Sequence, residues 1–281
     1  MKIMIEKLWG FIRLLRPEIS ILGIICVYIG AIASGSPYFS NDLLLAMLAV
    51  FFIGAGSMPF NDYFDYEIDM INHPKRPLPS GIFKPIYGLY IGIIFFIIGM
   101  SLSLLINIFC SIIAIIAIIL ICFYELTLKN HFFIGNVVVA FTTCISFTFG
   151  GAIIGELLKP TFFTLICFFI FLGREVLMDV RDFKGDKMNR VTLPLLIGKK
   201  SAVYFACFLI IISIGLLFLP VFYSVFMFSE WYVFLALIVA FVALYAIILL
   251  LHDVKNAGKS SDILRLSMAL GLIIFLLAII L

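Results

Sequence analysis

The chain is predicted to be all-α and embedded in a membrane, on three observations. Over 281 residues it is 64% hydrophobic and only 12% charged, with a mean hydropathy of +1.26. Its apolar residues come in long runs broken by short polar stretches, and the runs match the length a helix needs to cross a hydrocarbon core about 30 Å thick. Period-two alternation is absent, so a β-barrel is disfavoured, and only helices then satisfy the backbone amides inside lipid.

Nine spans follow in order, over residues 19–34, 43–60, 86–105, 108–123, 133–153, 162–177, 202–222, 231–251 and 263–281. The third and fourth are almost continuous, so a turn near Asn107 has to separate them. With nine crossings, the N-terminus and the loops after spans two, four, six and eight share one side. Of the 19 Lys and Arg residues, all but Lys159 lie in or beside those segments. The positive-inside rule makes that side cytoplasmic and the C-terminus external, in a multi-pass cell-membrane protein. Arg13, Arg16 and Pro17 precede the first span without the pattern of a cleavable signal peptide. The net charge of +3 is one-sided, with no basic domain or aromatic-basic surface for nucleic acid. The six cysteines are scattered through apolar segments without paired spacing, as small core or lipid-facing residues are.

One acidic pattern occurs twice. Asp62, Asp65, Asp69, Asn72, Pro77 and Gly81 recur as Asp179, Asp182, Asp186, Asn189, Pro194 and Gly198 at a constant offset of 117 residues, which Gly56 and Gly173 also keep. Each copy follows an even-numbered span, so the halves have the same orientation. The expected organisation is one membrane-embedded domain over 1–281, with parallel four-helix repeats of about 1–128 and 129–252 and an extra helix at 262–281, around a central chamber.

On a helix, Asn61, Asp65 and Asp69 form one stripe bordered by Asp62, before His73-Pro74 discourages continuation. Asp179, Asp182 and Asp186 share a second face until Gly185 and Asn189 loosen the backbone. Both stripes fall near C-terminal helix ends, where the macrodipole disfavours anions, and two facing stripes repel each other. Something cationic is needed. Carboxylates and an amide oxygen are hard ligands, which favours Mg²⁺ over Zn²⁺ or copper, and Mg²⁺ usually shares its shell with substrate phosphate oxygens. A diphosphate substrate is expected.

Basic residues follow directly. Lys75 and Arg76 lie in a proline-stiffened loop suited to holding a guanidinium over phosphate oxygens. Lys129 ends the loop of span four, with Tyr124 beside it. Arg174, inside a predicted span, needs an acid or phosphate as partner. The 31 Phe and 11 Tyr are mostly membrane core or belt, although aromatic faces in a chamber would also stabilise an allylic cation.

The stretch Asn61-Asp62-Tyr63-Phe64-Asp65-Tyr66-Glu67-Ile68-Asp69, with Arg76-Pro77-Leu78-Pro79-Ser80-Gly81, resembles the first aspartate motif of the UbiA-type intramembrane prenyltransferases. Asp182 to Asp186, preceded by Asp179, resembles their second, and the nine-helix count and Arg16-Pro17 extend the likeness over the whole chain. The resemblance implies Mg²⁺-dependent transfer of a prenyl chain from an isoprenyl diphosphate, in a chamber opening sideways to lipid. By motif position, Asn61, Asp65 and Asp69 would hold one ion and Asp179, Asp182 and Asp186 the other. Asp65, Asp182 and Asp179 would be catalytic, with Asp179 as the candidate proton acceptor. Arg76, Lys129, Arg174 and Tyr124 would meet the diphosphate.

Within the family, Arg174 to Asp186 and Thr192-Leu193-Pro194 most resemble the digeranylgeranylglyceryl phosphate synthase branch, which moves a geranylgeranyl group onto the free hydroxyl of geranylgeranylglyceryl phosphate in archaeal ether-lipid synthesis. Met178 stands where that branch is expected to have Lys. A phosphate-bearing acceptor calls for extra cations, which Lys184, Lys187, Arg190, Lys199 and Lys200 would supply. Two other readings stay open. The acceptor is aromatic instead (4-hydroxybenzoate, a naphthoate, or a haem or chlorophyll precursor), or the chain is a divalent-cation transporter, against which stand acids at helix ends rather than at the bilayer midplane.

Overall fold

Proline, asparagine and an unusual arginine set the helix breaks in the computed structural model, which describes residues 2–186, 191–222 and 231–280. Helices α1 (Lys2–Leu15) and α2 (Pro17–Ala33) meet at Arg16 with a bend of 44°. A residue before proline is kept out of the right-handed helical region, and Arg16 takes φ 45°, ψ 59°. Among the described residues it is the only non-glycine in the left-handed region, a conformation that holds only if surrounding contacts retain it.

Ser40 caps α3 (Asn41–Phe64), its Oγ accepting from the Leu43 amide at 3.1 Å. At Asp65 the helix breaks and α4 (Tyr66–Asn72) begins. Helices α5 (Pro85–Ile106) and α6 (Ile108–Leu126) form a hairpin about Asn107. A tight break between two apolar helices leaves orphan amides and carbonyls that need partners. Asn107 meets that demand, its Oδ1 accepting from the Cys110 amide at 2.9 Å while its Nδ2 donates to the Ala152 and Ile153 carbonyls, each at 2.9 Å.

A short 3₁₀ turn, Leu128–Asn130, leads to α7 (Ile134–Cys144) and α8 (Ser146–Ala152), one span with an irregularity at Ile145. Then come α9 (Leu158–Asp186), α10 (Leu193–Ile197), α11 (Lys199–Phe222), α12 (Trp231–His252) and α13 (Ala257–Ile280). Among the described residues eight spans are long and apolar enough to cross a membrane, and α1 with α2 make a ninth if the bent pair is one crossing. The chain is an integral membrane protein, and every expected span falls on a helix. The first falls on α2, whose 17 residues are short of the ~20 needed for a crossing.

Packing depends on close backbone approach, which small residues permit where lipid supplies no hydrophobic drive between helices. A Cβ at Gly56 of α3 would lie 2.8 Å from Phe95 and 3.1 Å from the Gly92 carbonyl of α5. Its repeat counterpart Gly173 on α9 meets Ile210 and the Ala206 carbonyl of α11 at 3.0 and 3.1 Å. Gly81 and Gly198 likewise both hold positive φ, 79° and 84°. Four apolar clusters result among the described residues, the smallest of Ala140, Leu172 and Leu209. One joins α2, α3, α5, α6 and α8, a second joins α9 to α13, and a third ties α2 and α8 to α9, α12 and α13 through Ile29, Phe147, Phe163 and Phe275. The six cysteines are free, four buried and two partly buried, as their scatter predicted.

Candidate active site between the two acidic segments

The first acidic segment divides where its helix breaks. The Asp65 amide still reaches the Asn61 carbonyl at 2.9 Å and the Asp69 amide the Asp65 carbonyl at 2.8 Å, so the turns continue. The side chains, expected as one stripe, separate into two networks. In the first, Asn61 Nδ2 donates to Glu125 Oε1 at 2.6 Å, and Lys129 Nζ lies 2.9 Å from Glu125 Oε2 and 2.6 Å from Asp65 Oδ1. In the second, Arg76 Nη1 lies 2.5 Å from Asp69 Oδ2 and 3.5 Å from Asp62 Oδ1, and Arg16 Nη2 lies 2.5 Å from the same Asp62 oxygen. Asp62, expected at the border of the stripe, is the fully buried centre of this network, and its Oδ2 has no hydrogen-bond partner. Asp62 and Asp69 are seven residues apart, about two helical turns, and so share a face, which groups Asp69 with Asp62 rather than with Asp65. Lys75 is exposed, and its carbonyl accepts from Arg13 Nη2 at 2.9 Å.

The second segment stays helical. The sixth span was expected to end at 177 and its backbone to loosen at Gly185, whereas α9 runs through Gly185 to Asp186. Asn136 Nδ2 donates to Asp179 Oδ2 at 2.7 Å. The fork of Arg181 donates to both oxygens of the half-exposed Asp182, at 2.7 and 2.6 Å. Arg174 does find a neighbouring acid, donating to Glu175 at 2.8 Å, and lies over the Phe171 ring at 5.8 Å. It shares a helix face with Met178 and Arg181, and that face meets α13, where Ser261 Oγ donates to Met178 Sδ at 3.1 Å. The side chains of Lys184 and Asp186, and residues Lys187, Asn189 and Arg190, lie outside the described part.

A cavity with about 450 Å³ of empty volume, open solvent included, lies beside the second segment, between the end of α6, the 3₁₀ turn, α7 and α9. Tyr124, Lys129 and Asn136 line it with Glu175, Asp179 and Thr192. Lys129 is the joint, since its ammonium pairs with Asp65 of the first segment, faces the Tyr124 ring at 5.9 Å and lines the cavity with Asp179 of the second. Among the sequence-derived candidates, Lys129, Tyr124 and Asp179 are therefore brought together at one cavity wall, with Asp65 and Asn61 behind Lys129. Asp62, Asp69, Arg76 and Arg16 form the neighbouring network, and Arg174 and Asp182 are not among the lining residues. An apolar cavity between α9, α11, α12 and α13, near Cys167, Leu217 and Phe275, lies within the second half of the chain.

The model of the UbiA prenyltransferase family matches residues 23–279. The curated digeranylgeranylglyceryl phosphate synthase of Methanocaldococcus jannaschii is 36% identical over 283 residues, covering 98% of each chain. The chain belongs to the UbiA prenyltransferase family. A solved structure described as digeranylgeranylglyceryl phosphate synthase is 34% identical to it, covering 98% of this chain and 99% of that one, with a TM-score of 0.82. A UbiA homologue from Archaeoglobus fulgidus, solved with GPP and Mg²⁺, is 19% identical with a TM-score of 0.70 over 95% of this chain and 99% of that one, and so shares the fold.

In this membrane prenyltransferase the donor set fits a hard divalent ion. The described candidates offer carboxylate and amide oxygens, and no three Asp, Glu, His or Cys side chains among the described residues converge into a closed cage. Mg²⁺ suits such a set because it completes its shell with water and phosphate oxygens. The carboxylates Asp65, Asp69 and Asp182 are each already neutralised by Lys129, Arg76 or Arg181. Sequence reasoning passed over Glu125 and Asn136 and gave Glu175 no role. The signals were present: Glu125 is a lone acid four residues before Lys129 at the end of an apolar span, and Asn136 is a polar residue inside one.

Proposed function

We propose that this prenyltransferase moves a geranylgeranyl group from geranylgeranyl diphosphate to the free hydroxyl of geranylgeranylglyceryl phosphate. One observation carries the site: Lys129 bridges Asp65, at 2.6 Å, to the cavity that Asp179 lines. A cation between two sets of carboxylates is where a diphosphate fits once those carboxylates turn to divalent ions. The acceptor rests on full-length relatives named digeranylgeranylglyceryl phosphate synthase at 33–36% identity.

In this reading Asn61, Asp65 and Asp69 hold one Mg²⁺, and Asp182 and Asp186, with Asp179 nearby, the other. The ions, when bound, neutralise the diphosphate and so ease cleavage of the C–O bond. Lys129, beside Tyr124, and Arg76, released from their carboxylates, meet phosphate oxygens, while Arg174 holds Glu175 at the cavity wall. The bond between C1 of the prenyl group and the bridging oxygen breaks, and its electron pair leaves with the diphosphate. The acceptor hydroxyl oxygen bonds to C1 and passes its proton to Asp179. The site faces the cytoplasm, where the positive-inside rule puts the basic loops. The matched behaviour of Gly56 with Gly173 and of Gly81 with Gly198 supports two parallel repeats, 1–128 and 129–252.

The test is to incubate membranes bearing the protein with labelled geranylgeranyl diphosphate, Mg²⁺ and each acceptor separately. Product is expected with geranylgeranylglyceryl phosphate. Product with 4-hydroxybenzoate or a naphthoate alone would overturn the assignment.

A further inference from the structure

Glu125 ends α6 with its side chain only 3% exposed, and both of its oxygens are used. Oε1 accepts from Asn61 Nδ2 at 2.6 Å, and Oε2 from Lys129 Nζ at 2.9 Å. Lys129 in turn reaches Asp65 Oδ1 at 2.6 Å, and the Asp65 amide returns to the Asn61 carbonyl at 2.9 Å. Four residues from three elements thus close a ring that contains two of the proposed ion ligands and one of the proposed diphosphate cations.

The ring fixes something that an asparagine alone leaves free. An amide side chain presents oxygen at one end and NH₂ donors at the other, and the two ends exchange by a half-turn. An ionised carboxylate only accepts, so only the NH₂ end of Asn61 can face Glu125. The amide oxygen, the end able to ligate a hard cation, is thereby turned away from α6. The second oxygen of Glu125 acts on Lys129. When Asp65 gives up that ammonium to bind an ion, Glu125 still holds it at the cavity wall, where it can turn to a phosphate oxygen. A buried carboxylate without such a cation would be strongly penalised, so the two residues are mutually dependent.

We propose that Glu125 is a positioning residue of the transfer site, presenting the Asn61 amide oxygen to the divalent ion and tethering Lys129 for the diphosphate. The proposal rests on the preceding assignment of Asn61, Asp65 and Lys129. Groups that orient metal ligands from behind alter ion affinity or activity by about 10–100-fold when changed.

Glu125→Gln is the informative variant. It is isosteric and leaves Lys129 paired with Asp65, but its own amide can flip, so it no longer dictates which end of Asn61 faces the site. Mn²⁺ binding by the purified protein in the presence of geranylgeranyl thiolodiphosphate, followed by electron paramagnetic resonance, reads the site without turnover. The affinity of Glu125→Gln is expected to fall about 10–100-fold, with a matching rise in the Mg²⁺ needed for transfer. Glu125→Asp, which keeps the charge, is expected to recover part of the loss. Because Glu125 acts through Asn61, the effects of Glu125→Gln and Asn61→Ala on Mn²⁺ affinity should combine to less than their sum. Unchanged Mn²⁺ affinity in a folded Glu125→Gln, or strict additivity with Asn61→Ala, would overturn the proposal. Failure of the wild type itself to bind Mn²⁺ with the thiolodiphosphate would sink the ion assignment first and this inference with it.

Discussion

Asp62 and Lys129 are each shared between partners, and that sharing decides what their removal does. Asp62 is fully buried against Arg16 and Arg76. Asp62→Ala leaves Arg16 without its acid while Arg76 keeps Asp69, and is expected to cost about 1–3 kcal/mol, read as a lowered thermal unfolding midpoint in detergent. A variant of wild-type stability would mean that Asp62 is not the centre of that network. Lys129→Ala strands the buried Glu125 and is expected to lower the unfolding midpoint as well as to lower kcat/KM for the prenyl diphosphate by about 100-fold or more, the usual loss on removing one transition-state donor. Retention of wild-type kcat/KM would exclude Lys129 from the diphosphate site. At this scale the sequence announced the acids and cations themselves, through their duplication and one-sidedness. It was silent on the pairing, because which acid meets Arg16, Arg76 or Lys129 is set by how segments apart in the chain pack.

Helices in this protein are held by two different uses of glycine. On α2, a Cβ at Gly30 would run into the Phe147 carbonyl of α8, and one at Gly150 into the Val27 carbonyl of α2. Gly30→Ala must separate two backbones, and it is expected to destabilise by about 1–3 kcal/mol. Gly198 has open space around it but sits at φ 84°, ψ 154°, a region closed to other residues. Gly198→Ala is expected to cost a similar ~1–3 kcal/mol through the backbone alone. Thermal unfolding in detergent checks both, and a neutral Gly198→Ala would mean that the turn relaxes elsewhere. The spans themselves were legible, since membrane helices are written as long apolar runs. Helix α1 was not: its apolar residues Met4, Ile5, Leu8, Trp9 and Ile12 are exposed on one face, whereas Gly10 and Leu14 pack inward. A helix so divided has no continuous hydrophobic run for a span search to find.

For the whole molecule, the paired charges predict linkage between ion and substrate. Under the proposed ligand assignment, Mg²⁺ alone has to displace Lys129 from Asp65 and Arg76 from Asp69, and a diphosphate alone has to draw those cations from their acids. Together, ion and diphosphate exchange partners and leave no charge unpaired. Geranylgeranyl diphosphate with Mg²⁺ is therefore expected to raise the unfolding midpoint by more than the sum of the two separate increments. A ligand at one hundred times its Kd contributes about 2.7 kcal/mol. Strictly additive shifts would show that the site does not exchange partners. Chelation with EDTA is expected to abolish transfer and restored Mg²⁺ to recover it, measured as labelled product.

By itself the sequence determined that this is a helical membrane protein with duplicated acidic segments, because apolar run length and residue spacing are local properties that a chain carries in any conformation, and the resemblance of those segments to the UbiA-type motifs added the prenyltransferase reading. The tertiary structure alone decided that Lys129 joins the segments, that Asp62 is a buried hub and that Glu125 faces Asn61. Those facts depend on which helices meet, and close contact between helices distant in the chain is governed by glycine placement and kinks rather than by the composition of either one.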